Sequence, residues 1–424
     1  MKLTVIGGGS TYTPELVDGF ARLRDFLPLD ELCLVDPDAR RLGLVAGISQ
    51  RMFDRAGYPV RVTATDDVVA GVSDAQAVLL QLRVGGQAAR RGDETFPHAC
   101  GCIGQETTGA GGFAKALRTV PVVLAVADVV RRHAAPGAWI VDFTNPVGIV
   151  TRALLEAGHR AVGLCNVAIG FQRRFATLLD VPPAAVELDH VGLNHLTWER
   201  GVRVRGVDRL PELLTTHREA LAEEIELPAR VLDLLGMVPS YYLRYFYAHD
   251  EVLAEQTAPG ARTRADAVLE IEAVLLAQYA DPAVDTKPEA LTRRGGAFYS
   301  EAAVDLLASL TADRGDTQVV NVRNDGTLPF LPDDHVVEVP ATISAQGIST
   351  AGSSARAPLP PDLAGLVAHV AGYERLALEA AVHGGLDRVE RALLAHPLVG
   401  QHDRASRLAG LLVAANREHL AWAR

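Results

Sequence analysis

The chain has 424 residues, 48% of them hydrophobic, enough for two domains and a sizeable core. Its 41 Lys and Arg stand against 52 Asp and Glu, and the net charge of −11 argues against nucleic acid or an anionic membrane as the main partner. No apolar run reaches the roughly 18 residues of a membrane span. MKLTVIGGGS turns into glycines too early for a secretory signal, and four cysteines in so long a chain are not a disulfide framework. A cytoplasmic protein with reduced thiols is expected.

In chain order, KLTVI (2–6) reads as a buried strand, followed by Gly7, Gly8 and Gly9 and a helix over 14–24. Strands at 32–35, 60–64 and 77–82 alternate with a helix over 40–55. A long helix over 113–133, a strand at 139–143, a helix over 147–156 and a strand at 161–164 continue the alternation. Strands spaced by helices imply a doubly wound parallel sheet of Rossmann type, covered on both faces. Beyond Cys165 the pattern changes. Strands at 186–191 and 197–204 lie close together, as in an antiparallel layer. Helices over 265–279, 300–312, 363–383 and 404–423 dominate the rest, with strands at 317–322 and 335–339 between them. The expected division is a dinucleotide-binding domain over 1–165 and a mixed α+β domain over 166–424 for substrate and oligomerisation.

Gly7 and Gly9 supply G-x-G directly after a strand, where bare backbone approaches a pyrophosphate at the head of the next helix. Tyr12 occupies the place of the third glycine of the fingerprint, and Ser10 and Thr11 offer hydroxyls instead. Asp36 ends the next strand, placed to accept from a ribose 2′-OH, which favours NAD over NADP. The bland alternative is a tight turn that needs glycine for its positive φ.

Cys165 ends the strand AVGLC, and His195 follows in GLNHL. Thiolate and imidazole together suit a divalent transition ion, although the spacing alone makes no metal motif and either side chain could be core. Cys100-Gly-Cys102 is a weaker competitor, since no second pair completes a zinc set. Three further segments look like site loops. They are Gly104–Gly109, the turn Thr144-Asn145-Pro146, and the arginine-rich stretch Arg83, Arg90 and Arg91 around Gly85-Gly86, read as a loop able to fork a phosphate or carboxylate. Residues 241–247 hold four of the nine tyrosines, either a core stripe or the source of a phenol base.

Taken together, VIGGGS, IGQETTGAGG, FTNPVG, GLCNV, GLNHL, YYLRYF, TRAD with EIE, RGGAFYS and NVRNDG resemble glycoside hydrolase family 4, over nearly the whole chain. The resemblance implies the fold of lactate and malate dehydrogenases. It also implies an NAD- and Mn²⁺-dependent glycosidase outside the usual two-carboxylate route. Such an enzyme oxidises the sugar at C3, removes the C2 proton that the new ketone acidifies, eliminates the aglycone, adds water and returns the hydride.

By the same resemblance, Cys165 and His195 match the two protein ligands of the metal. Tyr242 matches the base, with Tyr241 as the fallback if the register is off by one. Asn145 and Asn194 match contacts to sugar hydroxyls, and Glu106 a supporting position near metal and nicotinamide. Arg90, with Arg83 second, matches the arginine that binds the sugar 6-phosphate. Arg264 is expected to lower the phenol pKa. After the metal cysteine, members acting on α-glycosides carry Asp; Asn166 here points to a 6-phospho-β-glucosidase. Members are commonly dimers or tetramers. The competing readings are an NAD-dependent 2-hydroxyacid dehydrogenase on the same fold, a family 4 enzyme for an α-linked or unphosphorylated glycoside, and a non-catalytic NAD sensor.

Overall fold

Short apolar strands that alternate with amphipathic helices build one large sheet in this protein. The structure, a computed structural model, describes residues 1–295, 298–354 and 358–424. Six strands run parallel: β1 (Lys2–Ile6), β2 (Glu31–Val35), β3 (Arg61–Thr65), β4 (Ala77–Leu80), β5 (Trp139–Asp142) and β6 (Ala161–Gly163). Their order, β3-β2-β1-β4-β5-β6, reverses between β1 and β4, which opens a crevice at the carboxyl ends of the strands. Both faces are covered, so these strands need no polar side. Leu3, Val5 and Leu79 pack into one layer, and Ile6, Val78 and Leu80 into the other. The first layer holds the helices Thr13–Arg22, Ala39–Arg55 and Tyr299–Ala312. The second holds Gly109–His133 and the C-terminal helices Leu386–Leu394 and His402–Asn416. The helix Pro361–His383 contributes to both. Among the described residues, no helix is long and apolar enough to cross a membrane.

The expected antiparallel layer is present. β7 (Val186–Leu193) and β8 (Leu196–Val204) form a hairpin, flanked by β9 (Val207–Asp208) and β10 (Val238–Pro239). The later strands β11 (Asp316–Arg323), β12 (Val336–Ser344) and β13 (Gly347–Ser349) join the first sheet instead, antiparallel and outside β6. Nine strands therefore form one sheet drawn from both ends of the chain. That pairing joins Asn321 to Gly163, far apart in sequence, and no local pattern specifies it.

The helix expected over 404–423 ends at Asn416, the helix Val167–Leu178 is not among the expected elements, and a third difference bears on the site. Arg90 and Arg91 do not sit on a loop but on the helix Gly86–Thr95. Gly85, at φ +79°, makes the left-handed residue before the helix rather than marking a continuing loop. The Arg90–Glu94 pair, four residues apart, supports the helix from within. Arg91 turns away from the interior to pair with Asp266 at 2.7 Å. Gly296 and Ala297 of the RGGAFYS segment lie outside the described residues.

Candidate active site

A cleft of about 910 Å³ opens at the carboxyl ends of β1 and β4. Gly7, Gly9, Ser10 and Asp36 line one end of it. Gly7 has φ +83°, and a Cβ there would stand 2.7 Å from the Gln81 carbonyl oxygen. A Cβ on Gly9 would stand 2.8 Å from the Asp36 carboxyl carbon. Only bare backbone fits this turn, which leads into the helix Thr13–Arg22 and aims its positive end at the cleft. Asp36 is fixed from both sides, accepting from Gly9 N at 3.1 Å and Asp38 N at 3.0 Å. Thr11 is not presented to the cleft. Its buried hydroxyl donates to Glu272 Oε1 at 3.2 Å and accepts from Arg294 Nε at 2.7 Å.

Glu272 organises the roof above this turn. It accepts from Gln87 (3.3 Å), Arg294 (3.4 Å) and Arg41 (3.3 Å). Burial pushes its carboxyl up, but Arg294 and Arg41 override that and hold it below the usual range. Both guanidiniums also touch the turn itself, Arg41 through the Gly9 carbonyl (3.3 Å) and Arg294 through Ser10 Oγ (3.4 Å). The end that holds the glycines therefore presents two guanidiniums against the turn, donors that a pyrophosphate requires.

Glu106 holds the middle of the cleft. Arg83 donates to it through two nitrogens, Arg90 Nε lies 3.2 Å away, and Lys115 Nζ lies 2.7 Å away. Burial pushes the Glu106 carboxyl up, and these three cations overcome it, so it stays ionised. Burial pushes the Lys115 ammonium down, opposed by Glu106. Arg90 also pairs with Glu94 at 2.7 Å, and Glu94 accepts from Ala265 N at 2.8 Å. Three basic groups thus share two carboxylates, which favours an anionic ligand in the space they border.

The remaining expected residues collect around Tyr242, which lines both this cleft and a smaller second pocket that Asn194 and His195 line. Cys165 follows β6 and is buried; burial pushes its thiol up, Glu338 adds to that, and contacts with Asn194 and Tyr299 oppose it. His195 sits in the tight turn between β7 and β8 with φ +64°, a conformation that costs a non-glycine residue about 1 kcal/mol or more. Burial pushes its imidazole down to about 4, so the ring is neutral near pH 7. Its Nδ1 is buried and, among the described residues, meets no hydrogen-bond partner. Tyr242, in the short turn Tyr241–Leu243, stacks on the His195 ring with centroids 3.6 Å apart and planes 13° apart.

Burial pushes the Tyr242 phenol up, with Cys165, Glu106 and Tyr241 acting in the same direction; the opposing guanidinium is that of Arg90. Arg264 does not take that part. It is exposed at the cleft mouth and donates to the Arg293 and Arg294 carbonyls at 3.0 and 3.1 Å. Tyr241 also lines the cleft, edge-on to Tyr242 at 5.8 Å, and its oxygen accepts from Arg244 at 3.1 Å. Asn145 and Asn166 line the cleft, and Asn145 Oδ1 is a second buried acceptor with no partner among the described residues. Asn194 lies behind them, donating to Glu338 Oε2 at 2.8 Å.

These residues fit a cation. A neutral imidazole with an unpartnered buried nitrogen and a buried cysteine, each close to Tyr242, supply part of a shell. Among the described residues, no three His, Cys, Asp or Glu side chains form a cage, so substrate oxygens and water would complete it. Cys100 and Cys102 are free thiols with no such set around them. The sequence reading did not single out Glu272, Arg41, Arg294, Gln87, Lys115 or Glu338. Most act through a partner distant in sequence; only EIE, which contains Glu272, and RGGAFYS, which begins at Arg294, carried any signal.

Residues 2–181 match the model of the family 4 glycosyl hydrolases, and residues 190–399 match the family 4 glycosyl hydrolase C-terminal domain. A probable 6-phospho-beta-glucosidase of Bacillus subtilis is 38% identical, over 99% of this chain and 97% of its own. The 6-phospho-beta glucosidase of Thermotoga maritima, solved with manganese, NAD⁺ and glucose-6-phosphate, is 34% identical with a TM-score of 0.90 and covers 99% of each chain. A malate dehydrogenase from Salinibacter ruber, 18% identical with a TM-score of 0.54 over 89% of this chain and 97% of its own, shares the fold. The chain belongs to glycoside hydrolase family 4.

Proposed function

We propose that this enzyme hydrolyses 6-phospho-β-glucosides by oxidation, elimination, addition and reduction, using NAD⁺ and a divalent cation, Mn²⁺. The observation that carries the reading is Tyr242, which faces the crevice that begins at the glycine turn, stacks on His195 with its other surroundings buried, and lies within the electrostatic reach of Cys165. The names of the Bacillus and Thermotoga relatives, and the ligands of the latter, support it. When bound, NAD⁺ takes and returns a hydride and the cation acts as a Lewis acid.

The chain's own residues do the rest. Gly7, Gly9 and Ser10 seat the pyrophosphate, and Asp36 accepts from the ribose. Cys165 and His195 hold the cation. Tyr242 removes the proton from sugar C2 at its phenol oxygen, with Tyr241 as the alternative base. A phenol is a feeble base when buried, so the positive charges of Arg90 and the cation site favour its ionised form. Asn145 and Asn194 orient the sugar and its ligands. Arg90 and Arg83, set by Glu106, offset the 6-phosphate, and Arg264 borders the entrance. Asn166 is an amide and cannot deliver a proton to the leaving group, which suits a β-glucoside whose departure relies on water. The working unit is a cytoplasmic homodimer or homotetramer, with residues 1–165 forming the cofactor domain, which also lends Arg83, Arg90, Asn145 and Cys165 to the reaction site, and 166–424 the domain of substrate and assembly.

A substrate panel tests the specificity. Nitrophenyl α- and β-glucosides, each with and without a 6-phosphate, are incubated with NAD⁺ and Mn²⁺. The β-6-phosphate should be cleaved at least about tenfold faster than the other three, a difference of about 1.4 kcal/mol in barrier. Equal turnover of the unphosphorylated or the α compounds would sink the assignment.

A further inference from the structure

Behind Cys165 and His195 lies a buried polar group outside the cleft. Glu338, on β12, is 1% exposed and accepts three hydrogen bonds. They come from His190 Nε2 at 3.0 Å, Asn194 Nδ2 at 2.8 Å and Asn321 Nδ2 at 2.9 Å. His190 in turn meets Glu199 through Nδ1 at 2.6 Å. Two carboxylates therefore flank one imidazole, all of them buried. Isolating charge in this way costs several kcal/mol per ion, and a stability role alone is served as well by apolar packing.

The placement says what the group serves. Gly163, Asn321 and Glu338 form one row across β6, β11 and β12. The row ends two residues before Cys165. A Cβ on Gly163 would stand 2.1 Å from Thr151 Oγ1 and 2.9 Å from Asn321 Cβ, so the row exists only with glycine there. From the other sheet, His190 and Glu199 are cross-strand partners in the β7–β8 hairpin, and Asn194 and His195 form its tip. Glu338 is thus the point where the strand leading to Cys165 and the hairpin carrying His195 are joined. It touches neither ligand directly, and it binds the residue before His195 that also contacts Cys165.

We propose that Glu338 is the positioning residue of the cation site, fixing Asn194 between Cys165 and His195 and supplying the buried negative charge that a divalent ion needs. The inference rests on the cation reading of the previous section. Two protein ligands are few for a divalent ion, so charge and orientation from outer partners weigh heavily; loss of such a partner costs about 10–100-fold in affinity. Glu338→Gln keeps the shape and removes the charge.

The test is Mn²⁺ binding followed by the spectrum of free Mn²⁺ in electron paramagnetic resonance, with NAD⁺ affinity from calorimetry as the control. The variant should bind Mn²⁺ about 10–100-fold more weakly, with NAD⁺ affinity within twofold of wild type. Glu338→Asp, which keeps the charge, should recover part of the loss. If Glu338→Gln does not fold, Asn194→Ala removes the bond between the carboxylate and the hairpin tip at a half-buried position, and the same loss is expected. Wild-type Mn²⁺ affinity in a folded Glu338→Gln, or in Asn194→Ala, overturns the role of Glu338 alone. Failure of the wild-type protein to bind Mn²⁺ overturns the cation reading itself.

Discussion

Tyr242 and His195 are brought into ring contact by two tight turns, the Tyr241–Leu243 turn and the β7–β8 tip. If Tyr242 is the base, Tyr242→Phe should abolish exchange of the sugar C2 proton with D₂O and lower turnover by at least about 10²-fold. Exchange that persists transfers the role to Tyr241. Cys165→Ser should weaken Mn²⁺ by more than the roughly 10–100-fold of an outer partner while NAD⁺ binding stays; unchanged Mn²⁺ affinity removes Cys165 from the site. The residue types at these positions are legible in the sequence because each stands at a strand end or a turn with its own short motif. What cannot be read there is the identity of the groups that tune them. Arg264 looked like the cation near the phenol, yet Arg90 holds that place, because a helix replaced the expected loop.

That helix, Gly86–Thr95, depends on a buried clamp. Arg118, on Gly109–His133, donates to Asp93 Oδ1 at 2.8 Å, to Asn416 Oδ1 at 3.0 Å and to the Val84 carbonyl at 3.0 Å. Three elements meet at one guanidinium: the helix bearing Arg90, the long helix and the C-terminal helix His402–Asn416. Asp93→Ala leaves Arg118 buried without its carboxylate and should destabilise the fold by about 3–5 kcal/mol in urea denaturation. A loss below about 1 kcal/mol would show that the helix docks by apolar contacts instead. The six parallel strands and their helices were legible because apolar runs and breaks fix them locally. The union of β11–β13 with β6, and the clamp itself, are contacts over large sequence separation, for which periodicity holds no signal.

For the whole molecule, the net charge of −11 hides the cations gathered around Glu106 and Glu272. Stability should follow the buried histidines. Burial pushes His396 down to about 3, with His369 adding to it, so the folded chain refuses a proton that the unfolded chain accepts. Its contribution is present above about pH 6.5 and is lost as pH falls toward 3. His190 works the other way. Burial would lower its pKa, but Glu199 and Glu338 raise it to about 10, and its contribution is lost as pH rises from about 6.5 toward 10. A thermal midpoint highest near neutrality is expected, and His396→Asn, which keeps an acceptor for Leu398 N, should flatten the acid limb. An unchanged acid limb would assign it to other groups.

The most direct measurement omits each cofactor in turn during cleavage of a chromogenic β-glucoside 6-phosphate. No cleavage is expected without NAD⁺, none without Mn²⁺, and full activity with both and no net NADH. Cleavage that survives removal of both would contradict the redox route, and steady accumulation of NADH would make the enzyme a dehydrogenase.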